Sequence, residues 1–417
     1  MQKATGIETL YIDFDAFFAN VEKQLNPALR DRPVGITALD SEYSALITRC
    51  YLAKRAGIRR GMRVNEAQEK CPEILIQQAR PDIYVDIHNQ ILAEVNQHVP
   101  ITKVWSIDEV ECQLIGSERK RARELAENIR RGLAENFGPY ITPSIGLAPN
   151  QFLAKIAAEM EKPNGLVVLR PDNLPERLFT LGLTDLPGIS KGIEKRLHAA
   201  GVTTVEGLWN LPAKHARKIW NNVEGERLWA QLHGYRTERP PTKKRMFGHS
   251  RVLSGDFKDP KRAIDCVHLL TVKAAFRLRR AGFLAGALTI SIRPTDQPRW
   301  YGERRFSPVS DDFTFVRNMR ELYYEGLHTL GRPRRLKAAS VMLHSLSHAE
   351  DHAYDMFQTS EHASKQDSFD TLMTVIDGLN MKHGRAVCHV GTRAKLPGGY
   401  AGAKIAFGRV PDKEDFF

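Results

Sequence analysis

Hydrophobic residues crowd the stretch from Glu8 to Phe14, which reads as a buried strand, and Asp15 stands where a cap would start a helix from Ala16 to about Leu25. Asn26-Pro27 stops that helix. Short apolar runs at Pro33–Thr37 and Ser44–Thr48 read as strands. They are followed by a helix over Arg49–Ala56, closed by Gly57, and a small helical unit from Gly61 to Cys71-Pro72. Between Asp82 and His98, Ile83, Ile87, Ile91 and Val95 recur every four residues, the stripe of a helix facing a core. Val104–Leu114 has the form of a hairpin, Glu118–Phe137 of a long charged helix, Ile141–Leu147 of a strand and Asn150–Met160 of a helix. This order predicts an α+β sheet with helices on one face and a block of short pieces inserted after the first helix.

Beyond Met160 the pattern changes. Leu186-Pro187-Gly188-Ile189 followed by a helix at Ile193–Ala200 is either an ordinary helix–turn–helix connection or a turn that bares several backbone N–H groups. Its basic flank favours the second, a way of holding a phosphate without reading sequence. Gly188, Ser190 and Lys191 would contact it, and Lys195-Arg196 keep its flank basic. Glu238–Arg245, with two prolines and four basic residues, reads as a linker. After it, a helix over Pro260–Ala281 alternates with strand-like runs at Leu288–Ile292 and Leu336–Leu343. A polar stretch, a helix over Phe369–Met381 and a Gly-rich tail close the chain.

Charge sharpens this division. The formal net charge is +12, and between Arg236 and Lys337 the chain carries 23 Lys/Arg against 10 Asp/Glu, so the basic character belongs to one segment. Such a concentrated field suits a polyanion, and nucleic acid is favoured over membrane because no amphipathic apolar face accompanies it. Arg251, Arg277, Arg279 and Arg304 are the DNA-contact candidates there. The five cysteines are scattered, without zinc spacing, and read as packing residues of a reducing compartment. No stretch approaches a spanning helix and no leader pattern opens the chain, so a soluble, cytoplasmic protein is expected.

Two acidic stretches carry the candidate chemistry, Asp13-Phe14-Asp15 and Ser106-Ile107-Asp108-Glu109, each placed where an apolar strand should end. Strand ends do not carry unpaired acids without cause. Asp13, Asp108 and Glu109, with the Phe14 carbonyl, supply the oxygen ligands that two Mg²⁺ ions of a phosphoryl-transfer site need, Mn²⁺ being an alternative. Thr48-Arg49-Cys50-Tyr51-Leu52-Ala53-Lys54 and Glu161-Lys162-Pro163-Asn164-Gly165 supply cations for a triphosphate. Each lysine taken alone is also consistent with a plain surface charge. Phe17 is expected in the core and Phe18 facing the site.

Taken together, Asp13-Phe14-Asp15-Ala16-Phe17-Phe18-Ala19, Ser106–Glu109, Ala154–Gly165 and Leu186–Ile189 resemble the signature blocks of the Y-family (DinB/UmuC-type) lesion-bypass DNA polymerases, in family order. The resemblance implies an α+β multidomain right hand: palm at 1–24 and 80–172, small fingers at 25–79, and a thumb with a helix–hairpin–helix at 173–235. A linker at 236–245, an α/β little finger at 246–345 and a C-terminal region at 346–417 complete it. It implies error-prone, template-directed DNA synthesis past damaged bases, with Asp13, Asp108 and Glu109 as catalytic metal ligands. Thr48, Tyr51, Lys54 and Lys162 would contact the triphosphate, and Phe17 and Phe18 would lie at the nucleotide, Phe18 under its sugar. Lys54, where the DinB branch has arginine, and the stretch Leu372 to Arg385 lean toward the UmuC-like branch; Phe18, where bacterial UmuC has tyrosine, departs from it. Primer–template DNA and dNTP are the implied substrates. A sliding clamp, taken by Tyr354-Asp355-Met356-Phe357 or by the terminal Phe416-Phe417, is an implied partner, and a UmuD-like accessory protein or recombinase filament is a further candidate. A non-catalytic relative that docks on DNA and recruits partners is the competing reading, and a nucleotide cyclase on a similar sheet a third.

Overall fold

The computed structural model describes residues 3–238, 242–351, 360–384, 386–391 and 410 of the 417-residue chain. It divides into two compact units, one running to Pro240 and the other beginning at Pro241.

In the first unit, β1 (Thr9–Phe14) is buried along its whole length, as its apolar run demands, and leads into α1 (Phe17–Leu25). The inserted block is a small sheet of its own, built from β2 (Val34–Thr37) and β3 (Leu46–Arg49), with α2 (Tyr51–Arg55) and α3 (Val64–Lys70) between β3 and β4 (Leu75–Gln78). Its order is β3-β2-β4, and β4, a strand the sequence pattern does not announce, runs parallel to β2. Then come α4 (Pro81–His98), β5 (Lys103–Val104), β6 (Glu109–Gln113), α5 (Ala122–Phe137), β7 (Pro143–Ala148), α6 (Gln151–Met160) and β8 (Leu166–Val168). The main sheet has the order β5-β6-β1-β7-β8. The second acidic stretch therefore lies on the strand beside β1.

α4 is rolled from its predicted face. Its buried positions are Tyr84, Val85, His88, Ile91, Glu94 and Val95, while Ile83 and Ile87 are half-buried. Tyr84 and Glu94 go inside because they have hydrogen-bond partners there. On β7, Gly146 lets α6 lie directly on the sheet, since a Cβ at that position would stand 1.9 Å from the Ala154 carbonyl oxygen. That close approach brings the polar face of α6 up to the ends of β1 and β6.

Four helices, α7 (Lys191–Ala199), α8 (Val205–Trp209), α9 (Ala213–Trp220) and α10 (Glu224–Leu232), finish the unit. Leu183, Leu186, Ile189, Leu197 and Leu228 share one apolar core with Leu153 and Ile156 of α6.

The second unit is a four-stranded antiparallel sheet, with the chain order β9 (Met246–Val252), α11 (Pro260–Arg280), β10 (Phe283–Pro294), β11 (Trp300–Val309), α12 (Asp312–Thr329) and β12 (Leu336–His348). The strands are arranged β11-β10-β12-β9. Leu288, Ile290, Ile292, Val341 and Leu343 face the buried sides of α11 and α12, so both helices cover one side of the sheet. Here β9, β11 and α12 go beyond the elements expected. The last helix, α13 (Ser360–His383), packs on this unit through Met373, which is fully buried, and through Phe369, stacked 4.4 Å from Phe313. Four of the five cysteines are buried, in keeping with a packing role. Among the described residues no helix is long and apolar enough to cross a membrane.

Candidate active site

The antiparallel register of β1 and β6 sets Asp13 directly opposite Glu109, and the Phe14 N–H donates to the Asp108 carbonyl oxygen at 2.8 Å. Three of the predicted carboxylates are thus fixed by a backbone ladder. Asp108 sits at the β5–β6 turn, where the Ser106 hydroxyl bonds its carboxylate. Burial pushes the Asp13 carboxyl well above the usual carboxylate range; Lys162, 2.6 Å away, opposes this, while Glu159 and Asp108 add to it. Asp108 is raised too, by burial and then by Glu109, against the Ser106 hydrogen bond.

Two lysines of the α6 region neutralise part of this charge. Lys162 Nζ bridges Asp13 and, at 2.8 Å, Glu159, and Lys155 is paired with Glu109. Burial alone would lower Lys162, but Asp13 and Glu159 hold it above the ordinary lysine range. Lys155 is a site residue that motif reading quoted without giving it a role; its spacing of four from Glu159 was the available signal. Among the described residues no three Asp, Glu, His or Cys side chains close around a common point, since Asp13 and Glu109 are each drawn to a lysine. The set nevertheless fits a hard divalent cation, because it offers only oxygen donors, held together at the ends of neighbouring strands.

Asp15 does not cap α1. The cap position is Ala16, in the left-handed region at φ 42°, with no side-chain capping bond. Asp15, 1% exposed, instead accepts from Thr142 Oγ1 (3.0 Å), Ser144 Oγ (2.9 Å), the Asn164 N–H (2.7 Å) and the Tyr51 hydroxyl (3.3 Å). It ties β7, the Lys162–Gly165 turn and α2 together. Tyr51 is thereby aimed at the same corner, its hydroxyl held far above the usual phenol range by burial and by Asp15, with Lys54 Nζ 5.2 Å from its ring centre. Thr48, on β3, is half-buried one turn before it. Phe17 is core, tilted against Phe14 at 6.0 Å. Phe18 is also largely buried and lies flat on Tyr84 of α4, 4.6 Å between centres.

A cleft of about 790 Å³ runs between α6 and the Pro187-Gly188 turn, lined by Lys54, Lys155, Glu159, Gly188 and Ser190 among others. Gly188 takes φ 89°, and Leu186 and Ile189 anchor the turn in the core. Gly188, Ser190 and Lys191 are exposed, and the Ser190 side chain makes no capping bond, so the first N–H groups of α7 face outward.

In the second unit the expected DNA arginines prove to lie with the helix layer. Arg279 is 11% exposed and committed to Asp312 (2.7 Å) and to both oxygens of Asp377 (2.6 and 2.9 Å); burial opposes its charge, and these carboxylates override that. It anchors α13. Arg304 pairs with Glu321 and Glu325 of α12, Arg277 reaches His249 Nε2 at 3.1 Å, and burial holds Arg251 below the usual arginine range. The opposite face is mixed, with serines among larger side chains. Ser250, Ser291, Ser340 and Thr289 lie across it by register with Met342, Tyr301 and Glu303; Ser340 Oγ bonds Ser291 Oγ at 3.0 Å, Arg293 is exposed on it, and exposed Arg305 pairs there with Glu303 at 2.8 Å. Alternation along the strands, which basic composition alone does not reveal, decides which arginines look outward. Tyr354, Asp355, Met356 and Phe357, like Phe416 and Phe417, lie outside the described residues.

The acidic residues of β1 and β6 thus sit beside two lysines of the α6 region, with a cleft separating α6 from the Pro187-Gly188 turn. Residues 12–159 match the impB/mucB/samB family and residues 244–356 that family's C-terminal domain. DNA polymerase IV of Moorella thermoacetica is 30% identical over 396 residues, covering 91% of this chain and 94% of that protein. DNA polymerase IV 2 of Bacillus subtilis is 27% identical over 385 residues, covering 89% and 91%. A Y-family DNA polymerase chimera of Dbh and Dpo4 superposes with a TM-score of 0.69 at 24% identity, over 81% of this chain and 98% of its own. The insertion ternary complex of Dbh DNA polymerase does so with 0.55 at 25%, over the same shares. The chain belongs to the Y-family of translesion DNA polymerases.

Proposed function

We propose that Asp13, Asp108 and Glu109, with the Phe14 carbonyl, hold the divalent metal of nucleotidyl transfer in this chain, and that primer–template DNA and a dNTP are its substrates. The observation that carries this is the pairing of Asp13 with Glu109 across neighbouring strands, locked by the Phe14–Asp108 backbone bond. Two Mg²⁺ ions, or Mn²⁺ in their place, would supply there the positive charge that steadies the attacking and leaving oxygens. Lys162, Lys54, Tyr51 and Thr48 bind the triphosphate, and Lys162 gives up Asp13 for phosphate oxygens when nucleotide arrives. Phe18 underlies the sugar and rejects a 2′-hydroxyl.

The hand divides as palm at 1–24 and 80–172, fingers at 25–79, thumb at 173–235 and little finger at 246–345. The N–H groups at Gly188, Ser190 and Lys191 hold a DNA phosphate. In the little finger, the sheet face turned away from the helices is the DNA side, because Ser250 and Arg293 are exposed there and Arg305, paired with Glu303 at 2.8 Å, can exchange that carboxylate for a phosphate. Placement in the UmuC-like branch rests on Lys54 and the stretch from Leu372 to Arg385, and a clamp peptide at Tyr354–Phe357 on its position in the chain. Asp108→Ala combined with Glu109→Ala tests the site: primer extension is lost while primer–template affinity stays within about 2-fold, because these carboxylates hold metal and not duplex. Extension at a near wild-type rate would refute the assignment.

A further inference from the structure

Behind Phe18 lies a brace that the catalytic reading does not use. Phe18 and Glu22 are one helical turn apart on α1, so both point at α4. There they take hold of opposite ends of one residue. The Tyr84 ring lies under Phe18, 4.6 Å between centres and 15° from parallel, while its hydroxyl donates to Glu22 Oε1 at 2.8 Å. Arg80, at the start of α4, clamps the same carboxylate through Nε at 3.0 Å and through Nη2. Glu22 is 2% exposed and Tyr84 fully buried. A carboxylate that deep is held only because its oxygens are bonded, and a tyrosine that deep needs its hydroxyl satisfied.

We infer that Glu22 and Tyr84 are positioning residues for sugar selection: together with Arg80 they fix the height of the Phe18 ring against the nucleotide, so that a 2′-hydroxyl meets a surface that cannot recede. This rests on the reading of Phe18 as the sugar gate. Exclusion by contact works only against a wall that does not yield, and packed interiors resist displacement where every neighbour is itself fixed. Phe18 has no polar handle of its own. Among the described residues the ring stacked on it is that of Tyr84, Phe17 lying tilted at 6.0 Å, and the Tyr84 hydroxyl is held by a hydrogen bond whose acceptor sits on the same helix as the gate. The triangle closes on itself, and removing the Glu22 carboxylate opens it.

The test is single-nucleotide incorporation opposite a template base with dATP and with ATP, reading kcat/KM for each. Glu22→Ala is expected to lower the deoxy-over-ribo ratio about 10-fold, through a rise in kcat/KM for ATP, the size of a step that contact selection loses when a pocket wall slackens. Glu22→Gln, which keeps an acceptor for Tyr84, retains most of the ratio, and Tyr84→Phe, which keeps the ring and loses one oxygen, falls between. A merely structural role would depress both substrates together and leave the ratio unchanged in every variant; that result overturns the inference. Tyr84→Phe carries the test if Glu22→Ala does not fold. Phe18→Ala is run beside them: a collapsed ratio there with unchanged ratios in the Glu22 and Tyr84 variants refutes the brace and leaves the gate, whereas an unchanged ratio in Phe18→Ala refutes the gate and the brace with it.

Discussion

Replacing Asp15 separates two accounts of the first acidic stretch. If it were a helix cap, Asp15→Ala would cost about 1 kcal/mol and Asp15→Asn almost nothing. The structure gives a larger figure. Asp15→Ala strands one backbone N–H, that of Asn164, and three hydroxyls, those of Thr142, Ser144 and Tyr51, at a point 1% exposed. At about 1–3 kcal/mol per buried unsatisfied group, discounted because hydroxyls rotate toward other partners, the loss is about 4–6 kcal/mol. Asp15→Asn keeps one acceptor oxygen, which serves Asn164 and Thr142, and its amide turns donors toward hydroxyls that can accept; its cost is about 1–2 kcal/mol. For a unit of this size each kcal/mol is worth about 2–4 °C, so Asp15→Ala lowers the melting transition by about 8–24 °C and Asp15→Asn by about 2–8 °C. Calorimetry on the intact chain reads both. A fall of less than about 3 °C for Asp15→Ala would refute the hub and restore the cap.

Charge reversal divides the arginines of the little finger: Arg305→Glu flattens the log–log dependence of primer–template affinity on salt by about 1, and Arg304→Glu, on the helix side, leaves the slope alone. Equal slopes in the two variants would count against the sheet face turned away from the helices as the DNA side. Arg279→Met leaves Asp312 and Asp377 without their cation, and at about 3–5 kcal/mol for a broken buried pair the second unit should melt earlier and protease should release α13 first. Uniform resistance to protease would contradict that anchoring. His88, His233 and His268 are each held below the ordinary 6.5 by burial, so unfolding takes up protons that the folded chain refuses. Stability is therefore full above about pH 7 and falls as pH drops through about 6.5, and His88→Gln shallows that fall, as denaturant titrations at pH 7 and pH 5.5 would show.

What the sequence discloses follows range of interaction. The strands that place Asp13, Asp108 and Glu109 are legible because their apolar runs are unbroken and the carboxylates interrupt them locally. Asn150 and Asp15 look alike as caps in sequence, and Asn150 does cap α6, accepting from the Leu153 N–H at 2.9 Å. The partners that claim Asp15 lie 36 to 149 residues away, beyond any local pattern. In the little finger, β11 hides because Gly302 and Arg304 take inward positions that apolar residues would have marked. Charge balance there marks the basic domain, but a shift of one residue along a strand exchanges its two faces, and only pairing reveals which arginine looks where.

The clasp of α13 bears on where this protein can be cut. A shortened fragment ending with β12 would lose that clasp. That fragment would bare Phe313, leave Ser310 without Asp370, and reduce Arg279 to a single carboxylate at a position built for two. A soluble fragment has to extend past Asn380, whose side chain pins the backbone of Val387 and Cys388, so its natural end lies beyond residue 388.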